Sequence, residues 1–563
     1  MPDAGARKAS AARDGDRAWA IFAVFISALV ATPVIAVGVL AISPTANIWP
    51  HLWATVLPGY VRTTLVLMGG VGIVSFVVGT STAWFVAMCR FPGRKVLQWA
   101  LLVPLATPTY IIAYTYVDVF EYSGIVQTAA RGLFGWHNAR DYWFPEIRSL
   151  PGAIFVMSFV LYPYVYLTAR ASFMKQSVCL LEVSRTLGRS AWGTFFSVAL
   201  PMARPAIAIG VSLAMLECLN DIGAVEFFGV NTLTVGIYAT WLGRGNLGGA
   251  AQLASVMLIF VFALIWLERL MRARQRFHHT SRRERPPTKV RLTGWRGWSV
   301  TVACALPVFL GFVVPGAVLL DFAIGRFDTA NKDYLRYATN SLVLSATASV
   351  AAIAIGLVLA YAHRLARSDL VQIAIRFASV GYAVPGAVLG IGILVPMARL
   401  DHAINSAATG LFGISTGLLL TGTIFSIVFA YVVRFLAISY GAIEAGLGRV
   451  TPNLEAAART LGRSASGALR EVHLPLIRPA LATAGLLVFV DCMKELPATL
   501  ILRPFNFDTL ATHVYTYASL DLLEDSALSA LTIVAAGVLP VILINRTLKG
   551  PKRRSERDVP ELL

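Results

Sequence analysis

Charge is scarce in this chain. Of its 563 residues only 14% are Asp, Glu, Lys or Arg, 57% are hydrophobic, and the mean hydropathy is +0.68. A chain of this length with so little charge is too apolar for a soluble globular protein and reads as a polytopic membrane protein. Its five cysteines, Cys89, Cys179, Cys218, Cys304 and Cys492, fall in no CxxC or Cys/His spacing, so neither a disulfide framework nor a metal site is expected. No GxxxxGK[ST] stretch occurs, which removes the usual phosphate loop for ATP, and no cofactor bound by this chain is expected. There is no HExxH or GxSxG either, and the polar pairs lack a nucleophile beside a base, which sets an enzyme aside. The net charge of +18 would suit nucleic acid, but the basic residues gather between apolar runs, as loops of a membrane protein carry them, so no nucleic acid partner is expected.

What is present is a series of long apolar runs. Twelve are long enough, or nearly so, to cross about 30 Å of hydrocarbon: residues 19–42, 61–88, 96–119, 151–169, 203–222, 251–267, 299–321, 340–363, 371–395, 415–438, 477–496 and 527–545. Arg7, Lys8, Arg13 and Arg17 precede the first run. That run is too long for a signal-peptide core and lacks a small-x-small cleavage site, so it is expected to remain as a membrane helix. Basic residues follow every even-numbered run, among them Arg90, Arg94 and Lys95, Arg364 and Arg367, and the stretches 269–296 and 546–557. The positive-inside rule then puts these loops and both termini in the cytoplasm; loops on the other side are mixed or acidic, as at Asp521, Glu524 and Asp525. The expected organisation is all-α: an N-terminal tail over 1–18, a six-helix half over 19–268, a basic linker over 269–298, a second six-helix half over 299–546 and a C-terminal tail over 547–563.

The two halves repeat. "RTLGRSAWGTFFSVALPMARPAIA" from Arg185 aligns without gaps on "RTLGRSASGALREVHLPLIRPALA" from Arg459, 274 residues on, with 15 of 24 positions identical. Leu65, Gly79 and Pro108 match Leu342, Gly356 and Pro385 at an offset of 277, which marks a duplication. Both copies lie in the basic loop between the fourth and fifth run of their half. Their order is an acidic start, small residues, Gly188 or Gly462, Leu200-Pro201 or Leu474-Pro475, then Arg-Pro. This predicts a short surface helix broken at glycine, with the prolines in the first turn of the next helix. One such copy would suit a helix that only anchors the fold; two at matching places suit paired docking of a symmetric partner.

This grammar resembles the permease subunits of ABC importers of the binding-protein-dependent type, whose signature is Glu-Ala-Ala, three residues, Gly, nine residues, an aliphatic residue, one residue, Leu-Pro. The first copy has Glu182, Val183 and Ser184, Gly188, Val198 and Leu200-Pro201; the second has Glu455-Ala456-Ala457-Ala458, its Glu one position early relative to Gly462, and Leu474-Pro475. The fused arrangement and "WLGRGNLGGAAQLA" and "KELPATLILRPFNFDTLA" are similar to ferric iron permeases, while related permeases carry thiamine, polyamines, sulfate or phosphonates. The resemblance implies the type I importer permease architecture in a bacterial inner membrane and alternating access. ATP would be used by two copies of a separate ATPase docked at Glu182, Arg185, Gly188, Leu200, Pro201, Glu455, Ala456, Ala457, Arg459, Gly462, Leu474 and Pro475. A separate extracytoplasmic solute-binding protein would deliver the solute. A secondary transporter of two six-helix halves would share the helix count but not the loop motif.

Two acidic stretches break the apolar runs at the same 274-residue offset: "ECLND" from Glu217 and "DCMKE" from Asp491. A charge at membrane depth costs at least a few kcal/mol and faces a cavity or a partner. Residues four apart share a helix face, which predicts that Glu217 with Asp221, and Asp491 with Glu495, line a path or gate. Asn220 and Lys494 hold matching places, with Lys494 a counter-ion beside Glu495. Two readings stand at this point: carboxylates that help a hard cation through, or solvated and salt-bridged groups at the outer end of the helix that hold a gate shut. Cys218 and Cys492 read as small packing residues.

Overall fold

A computed structural model describes residues 3–42, 44, 47–176, 183–184, 186–273, 289–326, 333–365 and 368–548. Helix α1 spans Asp3–Ile42, so it begins inside the segment expected as a tail. It is followed by α2 (Leu57–Met88), α3 (Arg94–Ala100), α4 (Thr109–Phe120), α5 (Leu150–Lys175), α6 (Trp192–Asn220) and α7 (Leu247–Ala273). The second half comprises α8 (Gly294–Gly325), α9 (Tyr334–Leu365), α10 (Asp369–Ala378), α11 (Gly386–Phe412), α12 (Phe425–Leu447), α13 (Pro452–Thr460), α14 (Ala465–Met493) and α15 (Leu523–Leu548). Among the described residues eleven helices are long and apolar enough to cross a membrane, and a pair bent by 92°, Arg94–Ala106 with Thr109–Phe134, brings the number to twelve when counted as one span.

The third and ninth apolar runs, expected as single helices over 96–119 and 371–395, are each broken at the proline that the duplication matches. Thr107 and Val384 are extended, with ψ of 126° and 120°, and a new helix starts directly after Pro108 and Pro385. The physical cause is local: the proline ring excludes the preceding residue from the helical region, and its missing N–H costs nothing where a helix begins. Hydropathy sees apolar residues on both sides and misses the break. In α1 a third proline is tolerated inside the helix. The carbonyl of Leu29, left free by Pro33, accepts from the Thr32 hydroxyl at 2.6 Å.

Each half is built on the same three-helix core, α2 with α5 and α6 in the first and α9 with α12 and α14 in the second. Their opening helices are exchanged. α1 packs on α9, α10 and α11 of the second half, and α8 packs on α2, α3, α4 and α5 of the first. The approach is close in both places. A Cβ on Gly392 in α11 would stand 2.1 Å from the Pro33 carbonyl oxygen of α1, and Tyr116 donates to the Leu310 carbonyl of α8 at 2.6 Å. The described end of the linker is pinned as well: β2 (Val290–Arg291) pairs in parallel with β1 (Cys89–Arg90), and the Leu292 amide donates to the Arg90 carbonyl at 2.9 Å. The face carrying these loops is called the basic face below.

The prolines of the repeated motif do not open a helix. α6 and α14 run unbroken through them, and just before Leu200-Pro201 and Leu474-Pro475 each makes a widened π turn, Phe195–Ala199 and Leu469–His473. The two π turns match at the 274 offset. A π turn resets the hydrogen-bond register of a helix and accommodates a residue without an N–H, so the prolines fit inside a continuous rod.

Candidate translocation site

On the basic face, Glu182 and Arg185 lie outside the described residues. Gly188 and Gly462 adopt φ of +81° and +84°, the left-handed conformation that glycine takes at least cost and that ends a helix. Each turn presents a leucine to the outside: Leu187 is 78% and Leu461 82% exposed. Ala456 and Ala457 on α13 are exposed too. Glu455, expected as a docking contact, is turned inward instead. Its carboxylate receives Arg364 Nε at 2.9 Å and lies 3.5 Å from Arg459, while Arg364 also donates to the Leu447 and Val450 carbonyls at 2.6 and 3.1 Å. Glu455 therefore clasps α13 to the end of α9, which its shifted place in the motif permits. Leu200, Pro201, Leu474 and Pro475 lie just inside the spanning rods, beyond the π turns.

At the far end of α6 and α14 the two halves enclose a cavity of about 90 Å³, room for several waters. It is lined by all six residues of the acidic stretches named above: Glu217, Asn220, Asp221, Asp491, Lys494 and Glu495. They lie at the ends of α6 and α14 away from the basic face. Their partners Tyr164 and Arg434 lie near the middle of α5 and α12. The paired acids do not share a helix face, because α6 ends at Asn220 and α14 at Met493, placing the second acid of each pair beyond the helix. There it caps the next short helix: Asp221 accepts from the Ala224 amide at 2.8 Å, and Glu495 from the Ala498 and Thr499 amides at 3.0 and 3.3 Å. The broken spans deliver their new helix starts to the same place. The Gly386 amide donates to Asn220 Oδ1 at 2.7 Å, and the Thr109 hydroxyl donates to Asp221.

The charges are not distributed evenly. Lys494 pairs with Asp491 at 2.8 Å, not with its neighbour Glu495. Glu495 pairs with Arg434 at 3.0 Å, the two side chains being 2% and 8% exposed. Both cations thus come from the second half. Among the described residues Glu217 and Asp221 make no ion pair. Glu217 receives the Tyr382 hydroxyl at 2.6 Å, with the Tyr164 hydroxyl 3.5 Å away. Against four carboxylates stand two cations, so the lining has an excess of negative charge. The hydroxyls of Thr107 and Tyr110, also in the wall, have no hydrogen-bond partner among the described residues. The carboxylates are strung around the cavity: among the described residues no three His, Cys, Asp or Glu side chains converge as metal ligands. Cys218 and Cys492 point into packed surroundings and are 2% exposed each.

Arg434, Tyr164 and Tyr382 escaped the sequence reading. Arg434 had a signal, as the lone charge inside the apolar run 415–438, where an ionised group demands a partner. The tyrosines had none, since an aromatic residue in an apolar run is ordinarily core.

Residues 75–277, from α2 through the first repeated motif to the end of the first half, match the family described as the binding-protein-dependent transport system inner membrane component. The first half thus carries a domain like that of this family, and the paired loops, the duplicated cores and the shared cavity extend the likeness to the second half of the same polypeptide. It is similar to the Fe(3+)-transport system permease protein FbpB 2 of Haemophilus influenzae, 25% identical over 488 residues, or 86% of this chain and 88% of that protein. It is also similar to the molybdenum transport system permease protein ModB of Escherichia coli (strain K12), 29% identical over 206 residues covering 35% of this chain and 86% of that protein. A probable sulfate transport system permease protein, cysT of Marchantia polymorpha, is 25% identical over 213 residues, 37% of this chain and 70% of that protein.

Proposed function

We propose that the chain imports ferric iron, handed over by a separate solute-binding protein on the face opposite the basic one and driven by two copies of a separate ATPase docked on the basic face, with both termini cytoplasmic. The observation that carries the cargo assignment is the cavity wall: carboxylates from both halves outnumber the cations, and oxygen donors suit a hard cation. The likeness to FbpB 2, which runs through both halves, supports the same cargo. Coupling follows from the rods. α6 and α14 each run 29 residues from an exposed Leu-Gly turn to the acidic stretch, roughly 43 Å at 1.5 Å per residue. When ATP draws the two ATPases together, the turns at Gly188 and Gly462 move with them, and the rods carry that displacement to Glu217 and Asp491. Hydrolysis releases it.

A second reading, an oxyanion cargo, draws on Arg434, Lys494 and the two helix starts at Thr109 and Gly386, and on the relatives named for molybdenum and sulfate. Uptake of radiolabelled ferric iron, molybdate and sulfate by a strain lacking this chain, with and without the gene restored, separates the two. Ferric uptake that persists in its absence while an oxyanion fails would reverse the assignment.

A further inference from the structure

Two of the polar contacts that cross between the halves in this cavity meet at one residue. Asn220, the last residue of α6, accepts at its Oδ1 from Arg434 of α12 at 3.1 Å and from the Gly386 amide that opens α11 at 2.7 Å. Both donors belong to the second half. The same Arg434 nitrogen holds Glu495 at 3.0 Å, and the arginine's Nε, fully buried, has no hydrogen-bond partner among the described residues. The duplication makes this arrangement asymmetric. At the 274 offset Arg434 corresponds to Val160, which also lines the cavity, and Asn220 corresponds to Lys494, which pairs within its own half. A residue that served only the packing of one half would have a counterpart in the other; this arginine has none, and it reaches across.

We infer that Asn220 and Arg434 form a latch that holds the two halves together at mid-membrane, with Arg434 as a positioning residue that occupies the route's negative wall while no cargo is present. This rests on the reading of the cavity as the route. To part the halves here, the bonds from Arg434 and Gly386 to Asn220 and the bond from Tyr382 to Glu217 must break together. Parting uncovers the carboxylates that lack an ion pair, Glu217 and Asp221, and leaves Arg434 on Glu495. The latch is therefore tuned at Asn220 without unpairing any charge: alanine removes the acceptor, and aspartate, of the same size, turns the contact into an ion pair.

The test uses Asn220→Ala and Asn220→Asp in the full chain. Passive efflux of entrapped potassium from vesicles carrying the permease alone reports an unlatched route, and ATP hydrolysis by the permease with its ATPase, without cargo, reports idle opening. Loss of a hydrogen bond to a charged donor shifts a two-state ratio by about tenfold or more. Asn220→Ala should raise both readouts by about that factor, and Asn220→Asp should lower idle hydrolysis by a similar one. The latch is refuted if Asn220→Ala, recovered folded, matches the wild type in both, or if Asn220→Asp raises idle hydrolysis. Should the alanine variant not fold, the sign of the aspartate variant decides. Neither readout contains iron, so a wrong cargo leaves this result intact and a failed latch leaves the cargo open.

Discussion

Gly386 is a position where one added methyl group would press directly on the ion pair of the cavity. A Cβ there would lie 2.6 Å from Arg434 Nη1, 2.7 Å from Glu495 Oε1 and 2.9 Å from the Pro497 Cβ. The backbone cannot retreat, because Pro385 fixes the entry to α11 and the Gly386 amide is bonded to Asn220. The ion pair has to give by several tenths of an ångström instead. Overpacking of this kind costs about 1–3 kcal/mol. If the displacement separates Arg434 from Glu495, the uncompensated buried charge raises the loss to about 3–5 kcal/mol. Gly441→Ala in α12 is the matched control, since a Cβ there meets nothing within 4 Å and exchanging glycine for alanine within a helix is stabilising by about 0.5–1 kcal/mol. Thermal unfolding of the purified full chain, followed by loss of the monodisperse peak, compares the two. Gly386→Ala should unfold several degrees below the wild type and Gly441→Ala at or above it. Equal midpoints would mean that the helix start does not press on the ion pair, and the account of the cavity would fail.

Other consequences are checked more simply. Glu455→Ala should lower the unfolding midpoint by the equivalent of about 1–3 kcal/mol, as removal of a half-buried charged hydrogen-bond acceptor does, while capture of the ATPase in a pull-down is largely kept; an unchanged midpoint with abolished capture would restore it as a docking contact. Alanine at Gly188 or Gly462 forces a left-handed backbone on an L-residue at about 1–2 kcal/mol each, and Leu187→Asp with Leu461→Asp removes the exposed apolar tips; copurification of the ATPase should fall with either change and fall further when both turns are altered. In a Cys179→Ser background the four remaining thiols, Cys89, Cys218, Cys304 and Cys492, are all buried, so maleimide labelling should be slow; acceleration at Cys218 and Cys492 on adding ATPase and nucleotide would follow opening of the route. Glu217→Gln should reduce ferric uptake more than Asp491→Asn, because Asp491 is already neutralised by Lys494; equal losses would count against the uneven charge described above.

Much of the architecture was legible in the chain. Run lengths and loop charges yield twelve spans, and the 274-residue repeat locates both loops and both acidic stretches before any coordinates. The failures share a cause: each depends on what lies nearby in space. Pro108 and Pro385 were visible and matched, but a proline within an apolar run is compatible with a kink as well as a break, and only the polar cavity that receives the new helix starts resolves it. Lys494 stands beside Glu495 in sequence, yet the helical turn carries it back to Asp491, and the partner of Glu495 comes from a helix some sixty residues earlier. Glu455 carries the motif's residue type in a shifted register, and the arginine that turns it inward is at the end of α9.

The exchange of α1 and α8 bears on how this protein is made. α1 is made well before its partners α9, α10 and α11, the last of which ends only at Phe412. At about 5–20 residues per second, roughly 20 to 75 s pass before the last of them exists. During that time α1 has α7 of its own half and lipid to lean on, which the uncharged stretch Ala18–Ile42 tolerates. Neither half can reach its final form as a separate event. Biogenesis is therefore a single late closure, in which α1, made early, is among the last helices to be seated, and a chain stalled before α11 should leave a first half that is inserted in the membrane but unfinished.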